Sequence, residues 1–458
     1  MMRMVLRLLL TLSFATSAFG NCTHFASPNG GGDGRSINSP FKIANFWSIA
    51  SAGKTLCLLD GTYSGPSSMI NPPKNLNGAP QNPIVIKALN DGGVLIDGKG
   101  VETPVLLSYN DWFVIEGINA SNSATSVVRI GAGSDYNVVR RVVGWDANDT
   151  NEVIFGSNGN TGNLFEDVAG FGIARKILAV SQGGNDATVR RFWGSWDGSH
   201  RIGPKETINV AYENYRMTVE NVIATWTGNR MKETYYLGCD EYDLPNAKCG
   251  QLMTNYTIDQ PYQLIGSGGA VSNPITNSKV LGSIAYVKSD ARLQGAIPLM
   301  LGNSTTISNF QMKDIVTYLP AGSFTNTKTV WLDATSSSAN LYVANTRGFG
   351  GNGIYTHPAW QLNNTSAAQG PARDGSVFST IPGICFRYVD GQLTDTPLWP
   401  WPMNQRIIDA MKSAGRAPVD VTATIEQLLG PIPPQCRTKA SSSPVTPPRN
   451  VRVTGTTP

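Results

Sequence analysis

The sequence predicts an all-β chain wound as a single-stranded parallel β-helix, capped at both ends and followed by a short disordered tail. Three observations lead there. A β-rich motif recurs at a near-constant interval, the charges inside it alternate in sign from copy to copy, and the composition is poor in charge and rich in turn formers. Of 458 residues only 15% are charged, against about 25% in an ordinary soluble domain. The 48 glycines and 28 prolines follow no collagen period, and 41% hydrophobic residues are enough for a core. A net charge of +4 without basic blocks argues against a nucleic-acid partner.

Taken in order, residues 1–20 read as a secretory signal. Arg3 and Arg7 precede an apolar run from Leu8 to Ala18, and Ala18-Phe19-Gly20 supplies the small-x-small end, which places cleavage after Gly20. Asn21 before Cys22 is not the small residue that lipid attachment requires. No later run reaches the ~18 apolar residues of a membrane span, so an exported, monomeric protein with no membrane partner is expected. Cys22, Cys57, Cys239, Cys249, Cys385 and Cys436 all follow the signal. Proximity suggests pairing 22–57, 239–249 and 385–436, although six cysteines allow 15 pairings.

Residues 21–82 are expected to hold the N-terminal cap and the first strands, because an open end exposes unpaired backbone. The β-helix itself is placed at 83–350. Its clearest copies are Val139-Arg140-Arg141-Val142, Phe165-Glu166-Asp167-Val168, Val189-Arg190-Arg191-Phe192 and Val219-Glu220-Asn221-Val222, which start 26, 24 and 30 residues apart. A second strand lies between copies, as in Val127-Val128-Arg129-Ile130, Lys176-Ile177-Leu178-Ala179-Val180 and Ile208-Asn209-Val210. Short strands with Gly/Asn turns at this period fit a solenoid, whereas a propeller blade needs ~40 to 45 residues. In a parallel stack the same position of successive turns lies about 4.8 Å apart. Arg140-Arg141, Glu166-Asp167, Arg190-Arg191 and Glu220-Asn221 would then form a ladder of opposite charges. Residues 351–437 are expected to close the far end, with helices at Asn404 to Ala414 and near Val421 to Leu429. Residues 438–458 read as a Ser/Pro-rich disordered tail.

The opening of the chain resembles secreted right-handed parallel β-helix proteins of the pectin-lyase-like superfamily. The resemblance rests on Phe25-Ala26-Ser27-Pro28-Asn29-Gly30, Ser39-Pro40-Phe41 and Leu58-Leu59-Asp60-Gly61-Thr62-Tyr63, followed by Pro83-Ile84-Val85-Ile86 and Val94-Leu95-Ile96-Asp97-Gly98. It implies a right-handed winding and a polysaccharide-active protein. It does not choose a reaction, because lyases, epimerases, hydrolases and phage tailspikes share the architecture.

The functional residues are expected on the variable loops along one edge of the stack. Trp145, Trp196 and Trp226 each follow a repeat by a few positions and are candidates to stack on sugar rings. Arg201, Lys205 and Arg230 on the same loops are candidates to hold carboxylated sugars. Lys176 is the candidate base and Arg175 its partner, since a neighbouring cation favours the neutral amine that abstracts a proton. This set points to a lyase that removes the C5 proton of a uronic acid and expels the 4-linked sugar by β-elimination. Asp146, Asp149 and Glu152 are the candidates for a calcium ion. A glycoside hydrolase using two carboxylates about 5–9.5 Å apart, and a noncatalytic adhesin or tailspike-like glycan binder, stand as alternatives.

Overall fold

The computed structural model describes residues 22–148, 152–196, 206–210, 213–226, 235–236, 252–253, 263–266, 274–287, 297–301, 306–319, 330–332, 339–350 and 353–438. The chain winds as a right-handed parallel β-helix. Each complete turn has three strand positions rather than the two expected from the repeat. The first wall stacks strands such as Phe113–Glu116, Val138–Arg140 and the start of Leu164–Phe171. After a sharp bend, the second wall stacks Ile118–Ser121, Val143–Trp145 and the end of Leu164–Phe171. The third wall runs through Val128–Ile130, Val153–Asn158, Lys176–Ser181 and Glu206–Val210.

Alternation along each strand sends one row inward. On the first wall that row is Ile115, Val139, Phe165, Val189, Val219, Val280, Met312 and Val343, all in register and buried. Met217 and Ser278, 61 residues apart, are neighbours on adjacent turns, so the chain makes a long excursion there without breaking the stack. On the second wall the inward row is small: Gly144, Gly170 and Gly194 follow one another. A Cβ on Gly170 would stand 2.6 Å from Ile177 Cγ2, so the third wall's aliphatics occupy that space.

The outward row of the first wall is the expected charge ladder, and it is longer than the repeats revealed. Lys87, Glu116, Arg140, Glu166, Arg190 and Glu220 follow one another in register. Arg190 Nε lies 2.8 Å from Glu166 Oε1 and Arg140 Nη2 lies 3.1 Å from Glu116 Oε2. The next residue of each copy makes the bend with positive φ: Arg141 at 53°, Asp167 at 52°, Arg191 at 52° and Asn221 at 48°. Asn and Asp tolerate that region best; a β-carbon there costs roughly 1–2 kcal/mol. The bend residues recover it by pairing, since Arg191 Nε stands 2.6 Å from Asp167 Oδ1 and Nη2 stands 2.6 Å from Glu166 Oε1. Burial opposes the charge on Arg191, but Asp167 and Glu166 outweigh it and hold the guanidinium above its ordinary value.

The two ends of the stack are built differently. Parallel pairing already begins with His24–Ala26 against Thr55–Leu58, joined by the Cys22–Cys57 disulfide, and helix α1 (Ile43–Phe46) buries Ile43 and Phe46 in the same core. At the far end, Ile354–Thr356, Trp360–Asn363 and Ser366–Ala368 add one more turn beyond 350. The rest of the C-terminal segment does not close that end. It turns back and lies along the outside of the second wall. Helix α2 (Ser376–Thr380), helix α3 (Asn404–Ser413) and helix α4 (Val421–Leu429) bury Phe378, Ile407, Met411 and Ile425 against Val143, Trp145, Phe171, Trp193 and Tyr286. Arg406 reaches Asp91 and Asn119, Arg416 reaches Asp146, and Tyr388 reaches Asp314. The second wall is apolar on its outer side, and this segment covers it. Cys385–Cys436 ties the segment to itself; the expected 239–249 pair lies outside the described residues, as do the signal and all but the first residue of the tail.

Candidate functional site

The second wall being covered by the C-terminal segment, the third wall is the other stack that runs the length of the helix. Its middle row in register is Leu106, Arg129, Gly156, Ala179, Asn209, Gly266, Met300, Trp331 and Tyr355. Ile208 and Val210 turn inward, so alternation sets Asn209 on the outer side. Small residues occupy the centre of this row. Arg129 at one side of them is exposed, and Trp331 and Tyr355 at the other have ring centroids 4.5 Å apart, with Tyr355 39% exposed.

Lys176 opens its strand and pairs in register with Val153 and Glu206. Its Nζ lies 3.0 Å from Glu206 Oε2, with side-chain exposures of 12% and 7%. Arg175, next to it, is buried. Three positions after Glu206, roughly 10 Å along the strand, Asn209 is fully buried, and neither end of its amide has a hydrogen-bond partner among the described residues.

The remaining sequence candidates separate. Trp145 is buried and stacks on Phe171 at 5.5 Å, beneath the C-terminal segment. Trp196 is buried in the inner core and donates from Nε1 to the Ala174 carbonyl at 3.1 Å. The expected aromatic row is therefore corrected. Trp145 is in register with Phe171 and Ser195, whereas Trp196 is in register with Trp226, one position further on. A single-residue offset sends side chains to opposite faces of a strand. Trp226 closes the strand Ile223–Trp226, and its side chain lies outside the described residues. Arg201, Lys205, Arg230 and Asp149 also lie outside them.

The other two calcium candidates are already engaged. Asp146 binds Arg416 through both carboxylate oxygens, at 2.6 and 3.0 Å, and Glu152 accepts from Ser126 Oγ at 2.5 Å. Among the described residues no group of three or more His, Cys, Asp or Glu side chains stands ready to hold a metal ion. Asp146 and Glu152 as placed do not fit calcium, and no step is routed through it.

The sequence analysis did not single out Glu206, Asn209, Trp331 or Tyr355. Aligning Lys176-Ile-Leu-Ala-Val with Glu206-Thr-Ile-Asn-Val would have set Lys176 over Glu206. Val330-Trp331-Leu332 and Ile354-Tyr355-Thr356 each set an aromatic residue directly after a β-branched aliphatic one in a stretch where the repeat fades.

The stack of three parallel walls with a left-handed bend decides the class. This is a right-handed parallel β-helix. No family model matches the sequence, and no characterised protein matches it in sequence. Solved structures do match in shape. A pectate lyase superposes with a TM-score of 0.49 at 14% identity, covering 84% of this chain and 90% of its own. A rhamnogalacturonan lyase gives 0.45 at 14%, covering 76% and 87%. A surface adhesin of Streptococcus pneumoniae gives 0.39 at 10%, covering 75% and 91%. Likeness at this level describes the fold, and no residue role is carried over from it.

Proposed function

We propose that this is a secreted polysaccharide lyase that cleaves an acidic, uronic-acid polymer by β-elimination on the outer side of its third wall. The observation that carries the reading is the Lys176–Glu206 pair, stacked in register on adjacent turns of the third wall. Exposed Arg129 two turns away would take a carboxylate, and the Trp331–Tyr355 pair would stack on a more distant ring. Arg175 reinforces the positive field next to Lys176. In the reaction Lys176 Nζ takes the C5 proton. The C–H electron pair forms the C4–C5 double bond, the bond from C4 to the glycosidic oxygen breaks, and that oxygen takes a proton from water. Glu206 then stabilises the ammonium left on Lys176.

The Cys22–Cys57 and Cys385–Cys436 disulfides support an oxidising compartment. No described helix is long and apolar enough to cross a membrane. A second reading is favoured by the same ion pair: a Lys176 already held by Glu206 suits a noncatalytic glycan binder that uses the wall without a base.

Incubation with pectate, alginate and glycosaminoglycans separates the readings. Elimination raises absorbance near ~235 nm through the unsaturated uronate, and Lys176→Ala should lower that rate by about 10²–10⁴. Full activity in Lys176→Ala removes the assigned base. Reducing ends without absorbance mean hydrolysis, and binding with neither means an adhesin.

A further inference from the structure

At the far end of the second wall, too, charged groups meet the C-terminal segment. There Arg347 stands in register with Val316 on one neighbouring turn and Ser366 on the other, and Phe349 lies two residues on. Helices α2 and α4 approach this end and leave a cleft of about 260 Å³ lined by Arg347, Phe349, Ser366, Arg373, Val377 and Leu429. Phe349, Val377 and Leu429 are buried and form an apolar floor. The Arg347 and Arg373 guanidiniums, the Asp374 carboxylate and the Ser366, Ser376 and Thr380 hydroxyls form the polar side.

These arginines differ from the ones that fasten the fold. Arg140, Arg141, Arg190, Arg191, Arg406 and Arg416 each hold a carboxylate. Arg347 instead donates to the carbonyls of Thr346, at 3.2 Å, and Asn364, and Arg373 donates to the Tyr318 hydroxyl at 3.3 Å. Neither has an ion-pair partner among the described residues. The nearby carboxylate of Asp374 accepts from the Ser376 N–H at 2.9 Å, at the start of α2. Two guanidiniums against the one carboxylate of Asp374 leave the lining net positive above an apolar floor, a receptor for an oxyanion carried on an apolar or ring-shaped body. The volume lies just below the ~300–1,000 Å³ of ordinary ligand clefts, which suits one ring and not a chain.

We propose that this cleft is a second ligand site, separate from the third wall, that binds a single sugar-sized ring bearing one carboxylate or sulfate. The inference does not depend on the lyase reading, because it uses another wall and none of the same residues. Calorimetric titration of the mature protein, in a Lys176→Ala background so that the third wall is altered, should show saturable binding of galacturonate. Arg373→Glu and Arg347→Gln should each weaken it by roughly tenfold or more, and neutral galactose should not bind measurably. Arg373 is exposed, so its variant should keep the parent's unfolding midpoint and separate lost binding from lost fold. Galacturonate binding that survives both substitutions, equal binding of galactose, or no saturable binding overturns the site. Inorganic sulfate matching galacturonate overturns the claim that a ring is recognised.

Discussion

Replacing Arg191 tests the load on the bend between the first and second walls. Its side chain is 6% exposed and contacts two carboxylates, Asp167 and Glu166, each at 2.6 Å. Arg191→Ala leaves both side chains, each 15% exposed, without this cation, although Glu166 keeps Arg190. Removing one member of a buried pair costs about 3–5 kcal/mol; with Arg190 still present the lower end, about 3 kcal/mol, is expected. The backbone adds a second, separable effect. Alanine at a φ of 52° keeps the left-handed strain, whereas glycine relieves roughly 1–2 kcal/mol of it. Arg191→Gly should therefore be more stable than Arg191→Ala, the reverse of the order in a helix. Denaturant unfolding followed by far-UV circular dichroism measures both variants against the parent. An alanine variant within about 1 kcal/mol of the parent, or a glycine variant below alanine, would refute the pairing and strain argument.

Two further outcomes follow from the C-terminal segment. Glu220 is fully buried and accepts from Asp390 N at 3.1 Å and Gly391 N at 2.8 Å; burial raises its carboxyl above the ordinary value, with Gly391 and Arg190 opposing. The folded state therefore holds this proton to higher pH than the unfolded state. Stability should fall as pH rises from the ordinary glutamate value through the raised one. Glu220→Gln should flatten that slope in unfolding measured from about pH 4 upward, and an unchanged slope rejects the assignment. Replacing Cys385 and Cys436 together by serine opens a loop with a sequence separation of 51, at a cost of about 2–4 kcal/mol. Trp145, Trp193, Trp399 and Trp401 share the covered core, so tryptophan emission should shift red in the first unfolding transition. A single transition at the parent's midpoint contradicts this.

Much of the fold was legible because a parallel stack writes its geometry at short range. Val139, Phe165, Val189 and Val219 recur at one interval because each fills the same inward position, and Arg140, Glu166, Arg190 and Glu220 alternate in sign because each lies above the next. The disulfides 22–57 and 385–436 and helices α3 and α4 were readable for a similar reason, being local. The third strand of each turn was partly hidden. On the second wall the inward residues are glycines such as Gly144 and Gly170, which give no hydrophobic signal, and the outward ones, Trp145 and Phe171, are as apolar as a core.

That inversion also explains why the candidate site was only half visible. Trp145 looked like a surface aromatic because nothing near it in the sequence says that residues beyond 376 return to cover it. Arg416 lies hundreds of positions from Asp146, so the ion pair that occupies this calcium candidate cannot be seen locally. Lys176 over Glu206, by contrast, needed only the register. The sequence by itself determined the winding, the charge ladder and the bends, since these depend on neighbours one turn apart and so repeat. Only the tertiary structure decided which wall stays open, because that depends on where a nonrepeating tail finds enough apolar surface to bury.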